Sequence, residues 1–245
     1  RSGRPGPVWV DIPLDIQAAM IEENEAPSLS EMEAESSLPL TMNRKELEET
    51  VSNIIDDLNK SERPVILAGN GIRLANVIPE FGDLLDTLGV PVLLTWKAID
   101  FLEEDHPLFV GRPGGVGQRG ANFSQQNSDF LISIGARLDH GQTAYQPQYF
   151  AREAVKVVVD IDENEINKLS MGIKYPMHVD AEEFVWELLR QRDKIKVDAS
   201  DWLAQCKSWQ NKYPVVLPEH LEEKDFVNNY AFIDALSDEL PSGSL

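Results

Sequence analysis

A parallel α/β sheet of the Rossmann-like kind, with helices on both faces, is the fold this sequence predicts. Short continuous apolar runs, rich in valine, isoleucine and leucine, recur at residues 64–68, 91–94, 130–134 and 155–159. Such runs bury both faces of a strand, as parallel sheets require. Stretches with apolar residues at helical spacing lie between them, and an alternation of strands with helices builds a doubly wound sheet. The runs also stop at glycine, threonine or a short acid (Gly69, Thr95, Gly135, Asp160). Those are residues suited to the carboxyl ends of strands, where ligands bind in such sheets.

The elements follow in order. A glycine-proline turn leads into Val8, Trp9, Val10 and Ile12 before Pro13, so residues 1–15 read as a strand, expected to be the last strand of a preceding domain. Residues 16–42, rich in Glu, Ser and Pro and without periodicity, read as a linker. The central α/β domain is expected over residues 43–192. Asn43 caps a helix carrying Leu47, Val51, Ile54, Ile55 and Leu58. The first strand, 64–68, ends in Gly69-Asn70-Gly71, and the next helix, starting near Asn76, carries Phe81, Leu84, Leu85 and Leu88 and stops at Gly89. After the strand at 91–94 comes a long loop, 95–120, then a short helix over 121–127 and the strand at 130–134. The strand at 155–159 and a short one at 177–179, ahead of a helix over 181–192, complete the domain. Residues 193–227 read as a helix (200–212) with a connection, and residues 228–245 as the start of a further domain, opened by a helix that Asn228 caps.

The formal net charge is -20, which disfavours nucleic acid and anionic membrane surfaces as partners. The single cysteine, Cys206, admits no internal disulfide and fits a reducing, cytoplasmic setting. The four histidines have no paired spacing, no Gly-x-Ser-x-Gly elbow occurs, and neither a metal site nor a nucleophile is expected.

Three segments carry ligand-binding signals. Gly69-Asn70-Gly71 opens like a dinucleotide fingerprint, but Leu74 replaces the third glycine, leaving a tight turn or a nucleotide pocket of other geometry. Residues 111–120 hold five glycines with Arg112 and Arg119, a composition suited to phosphate contact or to a domain-contacting loop. Its lack of a Gly-Lys-Ser/Thr ending argues against nucleotide hydrolysis. Arg137, after the strand at 130–134, suits a diphosphate or a partner such as Asp139. Asp160 suits ribose hydroxyls, while Asp162 and Glu165 have the spacing of a capping box.

Taken in order, several of these pieces resemble the acetohydroxyacid synthase group of thiamine diphosphate-dependent enzymes. They are Ser2-Gly3-Arg4-Pro5-Gly6-Pro7-Val8 with Asp11-Ile12-Pro13, then Arg63 to Gly69, Leu88 to Val92 with Thr95, Ser128 to Ile132, Gly135-Ala136-Arg137, Val159 to Ile166, and the helix from Asn229. The resemblance covers nearly the whole chain and implies that it centres on that family's middle domain. Family members use thiamine diphosphate and magnesium to decarboxylate a 2-oxo acid, and many join the product to a second carbonyl. They do so as homo-oligomers, dimers or tetramers. The two elements the family uses for thiamine diphosphate, a glutamate of the first domain and a Gly-Asp-Gly-led motif of the third, have no counterpart here. The expectation is therefore a central-domain piece of an acetolactate synthase-like enzyme, inactive alone and without catalytic residues of its own. A free-standing FAD- or ADP-binding module and a structural oligomerisation domain are the alternatives.

In the family the middle domain holds FAD, ADP or no nucleotide. By position, the resemblance implies cofactor contacts at Gly69, Gly71, Thr95, Gly114, Gly117, Gly135, Arg137, Asp160, Ile161 and Asp180. Val116 stands where the synthases usually carry histidine, and Gly141 where they often carry a second arginine.

Overall fold

The computed structural model of the chain describes residues 6–7, 9–20 and 42–241. A one-turn helix, α1 (Leu14–Gln17), follows Pro13. Then come α2 (Arg44–Leu58), β1 (Pro64–Ala68), α3 (Gly71–Leu74), α4 (Ile78–Leu88), β2 (Val92–Leu94), α5 (Arg119–Gln126) and β3 (Phe130–Ile134). The chain continues through β4 (Val155–Asp160), α6 (Glu163–Asn167), β5 (Tyr175–His178), α7 (Ala181–Arg190), α8 (Ser200–Lys212), α9 (Pro218–Leu221) and α10 (Asn229–Glu239). All strand pairings are parallel, in the order β2-β1-β3-β4-β5. The α/β class and its Rossmann-like layering are therefore as the sequence predicts.

Strand alternation divides the core in two. Ile66, Ile132, Val157 and their even-or-odd neighbours face α2, α4 and α7, whose Leu47, Ile54, Phe81, Leu85, Phe184 and Leu188 are all buried there. Val65, Leu67, Leu131 and Val158 face the other way, toward Ala121 of α5, Ile166 of α6 and Trp202 and Cys206 of α8. Fully burying side chains of this size stabilises by roughly 1.5–3 kcal/mol each, which explains why both helix layers hold. Trp202 satisfies its indole N–H on the Pro64 carbonyl (3.1 Å), fixing α8 to the start of β1. The buried Cys206 thiol is pushed up to about 12 by burial, partly offset by a bond with Ser124, so it is a packing residue.

Caps fall where the sequence places them. Asn43 accepts from Glu46 N–H (3.0 Å), Asn228 from Tyr230 N–H (2.9 Å), and Gly89 ends α4 at φ 60°. Asp162 accepts from Asn164 N–H, one residue short of a capping box, and the Glu165 carboxylate instead receives Arg137 and Lys168. Two boundaries differ from the sequence reading. The strand expected at 177–179 is Tyr175–His178 and includes Pro176, which an edge strand tolerates because its missing N–H need not pair. Helix also starts at Gly71 rather than near Asn76. Asn76, at φ 58°, marks instead the break between α3 and α4. Residues 1–15, expected in the sheet of a preceding domain, add no strand to this sheet where they are described. Trp9, Val10 and Ile12 are exposed and join no sheet, and Leu14 already begins α1. Residues 1–5 and 8, and most of the expected linker (21–41), lie outside the described residues.

Candidate nucleotide-type cleft at the strand ends

Strand order reverses direction around β1. The chain leaves β1 for β2 on one side and returns to β3 on the other, so the β1 and β3 exits diverge over a crevice. Two glycines make that divergence possible. A Cβ on Gly71 would lie 2.5 Å from Gly135 Cα, and one on Gly69 2.3 Å from Ala136 Cα. Gly71 N–H donates to Gly135 O (3.0 Å), and Gly135 itself adopts φ 56°. The two backbones thus touch where side chains would hold them apart.

Above this contact opens a cleft of about 810 Å³, within the range of small-molecule sites. Gly71 and Thr95 line it from the β1 and β2 ends, and Gly135 and Arg137 from the β3 end. Asp160 and Ile161 after β4, and Asp180 at the start of α7, close the far side. Of the sequence-predicted residues, Gly69, Gly114 and Gly117 do not line it. Gly69 supports the backbone contact from below. Gly114 (φ 141°) and Gly117 shape the loop 111–120, where a Cβ on Gly117 would meet Gly114 N at 2.5 Å.

That loop is folded on itself. Asn122 both accepts from Gly114 N–H (2.9 Å) and donates to Gly114 O (3.1 Å), and Gln118 accepts from Arg112 N–H (2.8 Å). Its arginines point elsewhere: Arg112 pairs with Glu104 (2.9 Å) and lies over Phe109, and Arg119 lies over the Tyr213 ring. Of the two readings of this segment, the structure favours a packed loop over a phosphate clamp.

Arg137 sits at φ 62°, a costly conformation for a branched-chain-free but bulky residue, and donates through Nε to Glu165 (3.2 Å). Its side chain is 57% exposed, so the terminal guanidinium nitrogens keep donors for an anion. Asp160, buried, accepts from Asp162 N–H (3.0 Å), and Asp180 accepts from Glu182 N–H (2.9 Å). Burial, with Asp180 and Glu182 adding to it, raises the neighbouring Glu183 carboxyl. Arg73 braces the near rim. It bonds Asn70 (3.2 Å), Lys97 O (3.2 Å) and Asp100 (2.6 Å), and holds the Asp100 carboxyl below its ordinary value. Sequence reading missed Tyr145 and Trp96, which also line the cleft. Nothing in their local pattern marks them, since a loop between strands gives side chains no periodicity.

The arrangement offers glycine backbone, one cation after β3 and carboxylates after β4 and β5, as a nucleotide's phosphate and ribose would use. Among the described residues no three His, Cys, Asp or Glu side chains gather as a metal site.

The family model of the thiamine pyrophosphate enzyme central domain matches residues 51–188, more than half of the chain. The chain belongs to the thiamine pyrophosphate enzyme family. Within it, the large subunit of acetolactate synthase isozyme 1 from Escherichia coli (strain K12) is 31% identical over 240 residues, 97% of this chain and 39% of that protein. The probable acetolactate synthase large subunit of Methanocaldococcus jannaschii is 32% identical over 82% of this chain and 34% of its own length. The mitochondrial catalytic subunit of acetolactate synthase from Saccharomyces cerevisiae is 27% identical over 89% of this chain and 33% of its own. The chain thus spans two fifths or less of these curated relatives. The matched region takes in β1 through most of α7, the whole sheet and every cleft-lining residue but Gly6 and Pro7. No helix among the described residues is long and apolar enough to cross a membrane.

Proposed function

We propose that this chain is the central domain of an acetolactate synthase-like enzyme, which decarboxylates a 2-oxo acid and joins the product to a second carbonyl compound, and that its cleft holds FAD or ADP. The observation that carries the first part is the similarity to acetolactate synthase large subunits across almost the entire chain. Thiamine diphosphate supplies the carbanion stabilisation in such chemistry when bound. The part assigned here to this chain's residues is to carry the nucleotide and to space the elements around it. Catalysis then belongs to the longer polypeptide, with magnesium, in a homo-oligomer (a dimer or tetramer) of the cytoplasm without nucleic-acid or membrane partners. The chain by itself is inactive.

The nucleotide part is supported by the cleft: glycines meeting at the β1 and β3 exits, Arg137 beside them and Asp160 with Asp180 opposite. Two measurements test the proposal. Embedded in a longer polypeptide of its relatives' length, the chain should support thiamine- and magnesium-dependent release of carbon dioxide from pyruvate or 2-oxobutyrate. A folded, cofactor-loaded enzyme that releases none across a 2-oxo acid panel overturns it. Separately, FAD or ADP should raise the melting temperature of the chain by mass action, and NAD should not. No shift with either at millimolar concentration removes the nucleotide part alone.

A further inference from the structure

The loop after Arg137 is built at a conformational cost that its packing does not explain. Ala144 and Tyr145 are consecutive residues at φ 51° and 61°, a region that side chains rarely adopt. Tyr145 is also 75% exposed, so its ring gains little from burial. A strained aromatic residue left in water is unfavourable twice over, and residues of that kind collect at ligand sites.

The loop nevertheless holds Tyr145 firmly. Its N–H donates to His140 O (2.7 Å), while Ala144 N–H donates to Gly141 O (3.3 Å) and Thr143 to Asp139 O through both N–H and Oγ1 (3.0 Å each). The Gln142 side chain donates to Pro113 O (3.0 Å), and Gly115 N–H donates to Gly141 O (2.8 Å). The phenol ring runs parallel to the His140 ring, 4° between planes at 6.1 Å, and lines the cleft. The two rings lie parallel, and most of the phenol surface stays open.

We infer that Tyr145 is the ring-contacting residue of the cleft, a stacking platform for the planar heteroaromatic ring of a nucleotide. The inference rests on the nucleotide reading above. It adds an aromatic surface, beside that of Trp96, to complement Arg137 and the two carboxylates. Aromatic faces recognise such rings with little regard to their substituents.

The test is equilibrium dialysis of the chain with FAD and with ADP, alongside the melting temperature of the ligand-free protein. Tyr145→Ala should weaken binding about tenfold, the size of one base–aromatic stack. Tyr145→Phe should bind within about twofold of wild type, because the ring is kept. Tyr145→Gly should bind as poorly as Tyr145→Ala, yet melt no lower than wild type, because glycine relieves the strain at φ 61°. Loss confined to FAD assigns the ring to the flavin, and loss of both ligands assigns it to the adenine. Wild-type affinity in Tyr145→Ala, or a Tyr145→Phe defect as large as that of alanine, overturns the inference while leaving the nucleotide reading intact. A wild-type chain that binds neither ligand overturns both.

Discussion

Two glycine-rich regions of this chain look alike in sequence and behave oppositely in structure. At Gly69-Asn70-Gly71 and Gly135, glycine lets two strand exits come into van der Waals contact, and the crevice opens directly above. At residues 111–120, glycine lets one loop turn back on itself, where Asn122, Gln118 and the Gly141 carbonyl accept from the N–H groups of Gly114, Arg112 and Gly115 that a phosphate would have used. Absent side chains mark a close approach in both places. They do not say whether the approaching atoms belong to a ligand or to the protein's own backbone.

The largest test of that contrast is Gly135→Ala. Its Cβ would meet Gly71 backbone at 2.5 Å, at a positive φ, with no flexible side chain to yield. Overpacking against backbone together with φ strain should cost about 3 kcal/mol, seen in urea titration as a lower midpoint, and nucleotide binding should be lost with it. An alanine tolerated there would show that the exits need not touch. Next in size, Asn122→Ala removes both bonds to Gly114 and should cost about 1–2 kcal/mol. FAD or ADP affinity in dialysis should stay within about threefold, because the Gln142–Pro113 and Gly115–Gly141 bonds remain. A complete loss of binding would return the loop to the ligand.

A site remote from both regions supplies the control. Asp57 of α2 is held at about 2 by Lys174, then by its bond from Tyr175 (2.7 Å), with Lys60 adding. Its folded value lies below the ordinary carboxylate range. Its contribution is therefore fully present above about pH 4 and is lost as pH falls through about 2. Asp57→Asn should destabilise by about 1 kcal/mol at pH 7, after allowance for solvent screening, and should flatten the acid limb of a stability–pH curve. Nucleotide affinity at pH 7 should be unchanged. The smallest effect has the opposite sign. Gly82, inside α4, has nothing within 4 Å of an added Cβ, so Gly82→Ala should stabilise by about 0.5–1 kcal/mol in the same titration. It separates a glycine that serves an approach from one that serves none.

The sheet was legible because its strands are continuous apolar runs and its helices carry one apolar stripe each. Helix α8 was read at Ser200–Lys212, the bounds the structure shows. Most of the cleft was legible too, since a doubly wound sheet places its ligand end at Thr95, Gly135, Asp160 and Asp180 by topology alone. What escaped was long-range. Arg112 reads as a phosphate ligand until Glu104 and Phe109 are seen beside it, and Glu165 reads as a capping residue until Arg137 arrives from another loop. Pro176 hid the start of the last strand because edge position is a property of the whole sheet. Tyr145 carries no local signal, and only its backbone angle and its neighbours give it away.

The all-parallel ladder also governs how this chain reaches its native state. β1 pairs with both β2 and β3, and every one of these partners lies beyond an intervening segment rather than across a tight hairpin. No two strands can zip locally, so loop closure precedes any reward from pairing, and assembly from denaturant should run slowly for a chain of this helix content. During that interval five bare, hydrophobic ribbons await their neighbours, and dilute refolding should give markedly better recovery than concentrated refolding.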